Sequence, residues 1–228
     1  MASNSAIGHQ SAARHSSSLA HALFGGVFRV VLLLCVALLL SILTEWAGMI
    51  WLWPELGTAH SQAMLEAEIQ HLAYLQSSNT IVASAANALM LGAMELVGQL
   101  IKWTRIEHMA QWGLEVVRLG AVSAINMIYV FSLRLIVLTL SIPTLLIFAI
   151  AGCVRGMTGR ELRRWGGGRE SSGLFHLYTT LMPASVLGLW FLYLSMPVTL
   201  NPFWLVGPAA VFVAFMVRGA VYRFKKYV

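Results

Sequence analysis

Long apolar runs dominate the chain, and short polar or basic stretches separate them. Four runs, over residues 30–53, 132–154, 181–198 and 203–217, carry almost no charge. A helix needs about 20 apolar residues to cross the hydrocarbon core of a bilayer. The pattern therefore predicts four transmembrane helices. A tight turn at residues 199–202 joins the last two, with Pro202 suited to the first turn of the final helix.

The region between the first two runs, residues 54–131, has a mixed pattern. Met64, Ile69 and Leu72 recur at roughly the helical period, and no proline follows Pro54 in this region. We therefore expect helices outside the membrane here. The predicted fold class is all-α: a polytopic membrane protein with a helical extramembrane segment between its first and second transmembrane helices.

Residues 81–101 leave the number of spans open. They are apolar, but Asn87 and Glu95 lie inside the stretch and raise the cost of inserting it into lipid. We expect this stretch to form an amphipathic helix of the extramembrane segment. If it crosses the membrane, residues 113–133 must cross as well, and the chain then has six spans.

Composition supports lipid contact. Hydrophobic residues make up 58% of the chain and charged residues 11%, whereas soluble domains carry about 25% charged residues. The polar side chains are too few to cover a surface that faces water on all sides. The net charge is +6, but the basic residues flank apolar runs. That distribution is typical of membrane proteins, and we expect no direct contact with nucleic acid.

Three basic clusters predict the orientation. They lie in the tail at residues 1–29, in the loop at 155–180 and in the tail at 218–228. The positive-inside rule places all three in the cytoplasm, which four spans permit. Residues 54–131 then lie in the periplasm of a Gram-negative cell, and the protein is a multi-pass protein of the bacterial inner membrane with both termini inside.

The loop at residues 155–180 holds the densest group of candidate binding residues. Thr158 and Glu161 have the spacing of a capping box, which predicts a short helix beginning there and ending at the glycine run. The candidate docking residues for a cytoplasmic partner are Arg160, Glu161, Arg163, Arg164, Trp165, Gly166, Gly167, Gly168, Arg169 and Glu170. The same arginines are suited to docking on anionic lipid. The alternative is an interfacial helix and a flexible turn whose arginines only set the orientation.

Isolated polar residues invite other hypotheses. Glu45 and Arg134 are charges within strong apolar runs, each near the outer end of its span. We expect both to anchor their helices at the interface, Arg134 by snorkelling, although such residues mark ion paths in transporters. Glu68 and His71 share a helical face, which we interpret as a solvated or packed polar face. We expect no metal site and no cofactor.

Gly152 and Gly156 form a GxxxG pair at the inner end of the second span. This spacing allows two helices to approach closely. The pair is a weak signal, because Gly156 lies at the membrane edge.

The segment RELRRWGGGRESS at residues 160–172, followed by His176, resembles the signature loop of the integrating conjugative element membrane proteins. Glu161 stands where that family has an acidic residue before Leu162, and Trp165 stands where it has an aromatic one. The early anchor, the long middle segment and the closing hairpin also match the family's layout of four spans. The resemblance therefore covers nearly the whole chain.

The resemblance implies a role in conjugative DNA transfer, with a type IV secretion apparatus as the setting. The protein is then an accessory inner-membrane protein, a scaffold or docking partner for the coupling ATPase or the secretion channel. The family provides no catalytic residues, so we expect no enzymatic activity. Two alternatives remain: a small transporter or channel, and a protein that excludes incoming plasmids from its host cell.

Overall fold

The computed structural model describes residues 3–111, 113–166 and 172–223. This part of the chain is helical and contains no β-strand. The helices are α1 (Ser3–Trp51), α2 (Ala59–Ser78), α3 (Thr80–Thr104), α4 (Ile106–Ala110), α5 (Glu115–Trp165), α6 (Ser172–Ser195) and α7 (Pro202–Tyr222). The all-helical prediction is confirmed.

Helix α5 is the central element, and every other helix packs against it. Its 51 residues correspond to about 76 Å at the α-helical rise, more than twice the roughly 30 Å of a bilayer core. Pro143 lies inside the helix without ending it, as prolines do in apolar helices packed against neighbours. Met127, Val130 and Leu138 are buried along its length. The helix is continuous through residues 125–133, before the predicted second span.

Helices α6 and α7 form a hairpin against the second half of α5. Leu145 of α5 packs against the small residues Ala209 and Ala210 of α7. The Asn201 side chain accepts a hydrogen bond from the Phe203 backbone N–H at 3.0 Å and so caps α7. Pro202 begins the helix as predicted. The turn is longer than predicted, because α6 ends at Ser195.

Helices α2 and α3 form a second hairpin, against the first half of α5. Asn79 separates them in an extended conformation, and its side chain accepts a hydrogen bond from the Ile81 backbone N–H at 2.9 Å. Near this tip, Gln76 Nε2 donates to Asn87 Oδ1 at 3.0 Å. The two short amide side chains therefore hold the hairpin closed where its helices meet.

The open ends of the α2–α3 hairpin lie at the same level of α5. Asn126 Nδ2 donates to Ser61 Oγ at the start of α2, at 3.1 Å. Ile101, at the end of α3, packs against Ile128. The hairpin runs along α5 from there, and its tip approaches the level of Leu140.

Helix α1 lies antiparallel to α5 and contacts both hairpins. Ala37 packs against Phe131 and Leu138 of α5 and against Tyr193 of α6. Further along, Trp46 Nε1 donates a hydrogen bond to the Gly120 carbonyl at 3.1 Å. Helix α1 begins at Ser3 and thus includes described residues of the predicted polar tail at 1–29, because the Ala- and Ser-rich sequence contains no proline to prevent a helix.

Among the described residues, five helical segments are long and apolar enough to cross a membrane: Gly25–Trp51, Thr80–Thr104, Glu115–Arg163, His176–Ser195 and Pro202–Tyr222. The four predicted spans lie in four of them, and the fifth is α3. The count of four spans is therefore not confirmed. These segments expose many large apolar side chains, such as Leu39, Ile147 and Phe203. Exposed apolar surface of this extent is compatible with membrane insertion.

Two helices extend beyond the predicted spans. Helix α6 begins at Ser172 instead of residue 181, and α7 ends at Tyr222 instead of residue 217. Hydropathy identifies the apolar part of a helix, whereas the backbone hydrogen bonds continue through polar residues until a cap or a breaker ends them.

Candidate functional site

The predicted docking residues from Arg160 to Gly166 lie at the C-terminal end of α5. We call residues 155–166 the basic end. The helix stops at Trp165, and the Gly166 backbone N–H donates to the Leu162 carbonyl at 3.1 Å. The predicted stop at the glycine run is confirmed at Gly166. Of the other predicted residues, Gly167, Gly168, Arg169 and Glu170 lie outside the described residues.

No new helix begins at Thr158, so the predicted capping box is wrong. Its hydroxyl donates to the Val154 carbonyl at 3.0 Å, inside the continuous helix α5. A capping box requires a non-helical residue at the start. The apolar run before Thr158 is already helical, so the hydroxyl bonds back to the preceding turn instead.

A stripe of three glycines fixes the basic end to α7. A Cβ atom on Gly152 would collide with the Ala214 backbone, and one on Gly156 would lie 2.9 Å from the Arg218 carbonyl oxygen. A Cβ on Gly159 would lie 3.0 Å from the Tyr222 ring. The close helix contact predicted for Gly152 and Gly156 is confirmed, and it extends one turn further.

The basic end has two different faces. Towards α7, the Arg163 guanidinium lies over the Tyr222 ring, 4.7 Å from its centroid. Away from α7, Leu162 is 70% exposed and Trp165 is 89% exposed. Glu161 is exposed and Arg160 is half-buried, while Arg164 lies in the same helical turn. Exposed tryptophan and leucine beside arginines are typical of a protein interaction surface.

A second polar site surrounds Arg134, which is fully buried. Its Nε donates to Glu68 Oε1 at 2.8 Å, and its Nη2 donates to the Val198 carbonyl at 2.7 Å. Its Nη1 donates to the carbonyls of Tyr193 at 3.0 Å and Met196 at 2.7 Å. We call Arg134, Glu68 and these three carbonyls the Arg134 cluster.

The Arg134 cluster joins three elements. The guanidinium satisfies carbonyls at the C-terminus of α6 and in the α6–α7 turn, which have no partner within a helix. It also forms an ion pair with Glu68 of α2, which is fully buried. The predicted snorkelling of Arg134 is wrong, because Glu68 supplies a counter-charge inside the protein. Glu68 is part of a packed face.

Glu45 is likewise buried and not at an exposed interface. Its carboxylate lies 3.0 Å from His60 Nδ1, which connects α1 to α2. The His60 ring stacks on Trp53 with ring centroids 4.0 Å apart. Both buried carboxylates therefore attach α2, the least apolar long helix, to its neighbours.

A sequence signal for the Arg134 cluster existed. Glu68 lies four residues from Met64 and from Leu72, within the periodic stripe that becomes buried. A carboxylate in the apolar stripe of one helix and a lone arginine in an apolar run of another predict a pair, because an unpaired charge is costly in both places. No sequence pattern identifies the three carbonyls that bind Arg134, since their positions depend on where α6 ends.

Comparison with known proteins adds one finding. The family model described as IncC plasmid conjugative DNA transfer protein DtrJ-like matches residues 52–225. No curated protein and no solved structure matches the chain. The matched residues include α2 to α7, and so contain the basic end and the Arg134 cluster.

Proposed function

The chain belongs to the DtrJ-like family of conjugative DNA transfer proteins, and we propose that it is a non-enzymatic inner-membrane docking protein of the transfer apparatus. The resemblance to conjugative-transfer proteins is confirmed. The narrower assignment to integrating conjugative elements stays a prediction, as does the type IV secretion setting. The proposed partner is the coupling ATPase or another cytoplasmic subunit of the apparatus.

We place four helices across the inner membrane: α1, α5, α6 and α7. The α6–α7 turn then points towards the periplasm, and the basic end lies in the cytoplasm. The distribution of arginines supports this orientation, because Arg155, Arg218 and Arg223 all lie at that end.

The geometry of the α2–α3 hairpin supports four spans over five. Its two open ends contact α5 at the same level, through Ser61 and Ile101. Helix α3 therefore crosses the membrane only if α2 crosses as well. Helix α2 contains Glu66, Glu68 and His71, and it is not apolar enough to be a candidate span. We propose that the hairpin lies on the periplasmic side and that its tip enters the outer part of the membrane beside α5.

The exposed face of the basic end is the observation that carries the docking proposal. If the span of α5 ends near Arg155, residues 155–165 extend the helix about 16 Å beyond the hydrocarbon. Leu162 and Trp165 then face the cytoplasm on a rigid helix that the glycine stripe holds against α7. A partner that covers them buries apolar surface next to a group of arginines, which is a favourable composition for a binding site.

The proposal is tested with Trp165→Ala and with the pair Arg163→Ala and Arg164→Ala in the full-length protein. We expect recovery of the coupling ATPase in a pull-down, and conjugation frequency, to fall about tenfold or more, as is common for central interface residues. Trp103→Ala is the matched control, because Trp103 is 83% exposed at the other end of the molecule. Unchanged recovery and unchanged transfer in the basic-end variants, at wild-type protein levels, would contradict the docking role.

A further inference from the structure

The surface where α6 meets α7, which we call the groove, places Arg223 beside the half-buried Tyr178 ring and the exposed Phe215 ring. The Arg223 guanidinium lies over the Tyr178 ring, 5.3 Å from its centroid. The Tyr178 ring meets Phe215 edge to face, with centroids 6.5 Å apart. Gly219 lets this ring lie directly against α7, since a Cβ there would come within 2.8 Å of it. The groove thus has a cationic end and an aromatic wall.

The cationic end has an unused donor. Arg223 Nη1 is buried and has no hydrogen-bond partner within the described part of the chain. A buried guanidinium donor without an acceptor is unfavourable, because it has lost water without gaining a replacement. A phosphate oxygen is the acceptor that arginine binds most strongly, through short charge-assisted hydrogen bonds.

The other end of the groove is apolar. Val211 and Phe215 are exposed on the face of α7 that also carries Gly219 and Arg223, at intervals of four residues. Leu177 and Leu181 are exposed on α6 beside Tyr178. A ligand that fits the whole groove therefore has an anionic group at one end and long apolar chains at the other. Nucleic acids and acidic peptides lack the second part.

We propose that this groove binds an anionic phospholipid, with its phosphate on Arg223 and its acyl chains along Phe215 and Val211. Basic sites between transmembrane helices on the cytoplasmic side are suited to such lipids. The site rests on the membrane insertion proposed above, but not on docking to the transfer apparatus. It lies on the α6 side of α7, whereas the basic end lies on the α5 side.

The test is native mass spectrometry of the full-length protein released from a nonionic detergent. Phosphatidylglycerol and phosphatidylcholine with identical acyl chains are titrated separately. We expect the wild-type protein to bind phosphatidylglycerol at least about tenfold more tightly, because the quaternary ammonium of phosphatidylcholine offsets the charge of its phosphate and repels Arg223. Arg223→Gln should reduce binding to the phosphatidylcholine level.

Arg155→Gln is the matched control, because it removes one exposed positive charge from the same end of the molecule. It should keep the preference for phosphatidylglycerol. Equal binding by wild type and Arg223→Gln, or equal losses in both variants, would overturn the proposal. So would displacement of the lipid by inorganic phosphate, which would identify the phosphate alone as the ligand.

Phe215→Gln provides a second route if Arg223→Gln does not fold. It should weaken both lipids, because the acyl chains lose their aromatic contact, and unchanged binding would count against the site. Lipid binding is measured by mass spectrometry and not by transfer frequency, so the result can be interpreted even if the docking proposal fails. A wild-type protein that docks normally but binds the two lipids equally would contradict only the lipid site.

Discussion

Arg134 shows how one residue can determine the arrangement of three helices. Its four hydrogen bonds reach Glu68 of α2 and three carbonyls at the end of α6 and in the following turn. Glu68 Oε2 has no hydrogen bond among the described residues, and His71 Nδ1 lies 3.9 Å from it. Removing one member leaves the other charge buried without compensation, which costs more than the pair contributes.

We expect Glu68→Gln or Arg134→Gln to destabilise the protein by about 3–5 kcal/mol. The double variant Glu68→Leu with Arg134→Met should recover much of this loss, because neither charge is then buried. The measurement is chemical denaturation in detergent followed by circular dichroism.

The exposed pair Glu115 and Arg118 is the matched control for that measurement. Its nitrogen and oxygen are 2.6 Å apart, but the side chains are 70% and 50% exposed. Arg118→Gln should change the stability by less than about 1 kcal/mol, since water screens the pair. Similar losses for Arg118→Gln and Arg134→Gln would contradict the buried role of Arg134.

At the scale of helices, the glycine stripe of α5 decides how closely α7 approaches. Gly152 and Gly156 face backbone atoms of α7, which cannot rotate away as a side chain can. Apolar helices in lipid gain little from the hydrophobic effect between them, so close packing must supply much of their association. The glycines matter because any larger residue separates the helices along this contact.

We expect Gly152→Leu to force α7 away from α5 and to destabilise the protein by at least about 1–3 kcal/mol, the usual cost of overpacking. Gly188→Leu in α6 is the control, because a Cβ atom there has nothing within 4 Å. The readout is the midpoint of thermal unfolding in detergent, with the rate of trypsin cleavage as a second measure. Equal midpoints for the two variants would argue against close contact at Gly152.

At the scale of the whole molecule, the long helix α5 connects two ends of different character. One end carries the α2–α3 hairpin and α4, and the other carries the basic end. A helix of 51 residues is too long for one bilayer, so part of it must lie outside in any membrane arrangement. In the proposed orientation, α5 extends beyond the membrane on both sides.

Cysteine labelling tests this orientation. In a protein with Cys35→Ser and Cys153→Ser, a membrane-impermeant maleimide added to spheroplasts should label Ala59→Cys and Met109→Cys. It should label Trp165→Cys only after the membrane is permeabilised. Opposite accessibility of residues 59 and 109 would mean that an odd number of crossings separates them, against the four-span arrangement.

The described helices were largely predictable, because the signals for them are local. Apolar runs, capping asparagines and the proline at 202 act within a few residues, so sequence alone locates α6, α7 and most of α5. The helix at Thr158 was predicted wrongly for the same reason. The capping pattern at Thr158 is local, but Thr158 lies inside a helix that the preceding apolar turns had already established.

The sequence by itself determined that this protein is helical and has helices suited to a membrane, since length, apolar content and the position of charges are properties of single segments. It also contained the segment at residues 160–172 on which the resemblance to conjugative-transfer proteins was based. Only the tertiary structure decided that Arg134 binds the Val198 carbonyl, that Gly152 contacts the backbone of α7, and that Arg223 lies beside Tyr178. Each of these contacts joins residues of different elements, and their meeting depends on how whole helices pack against each other, which no local pattern specifies.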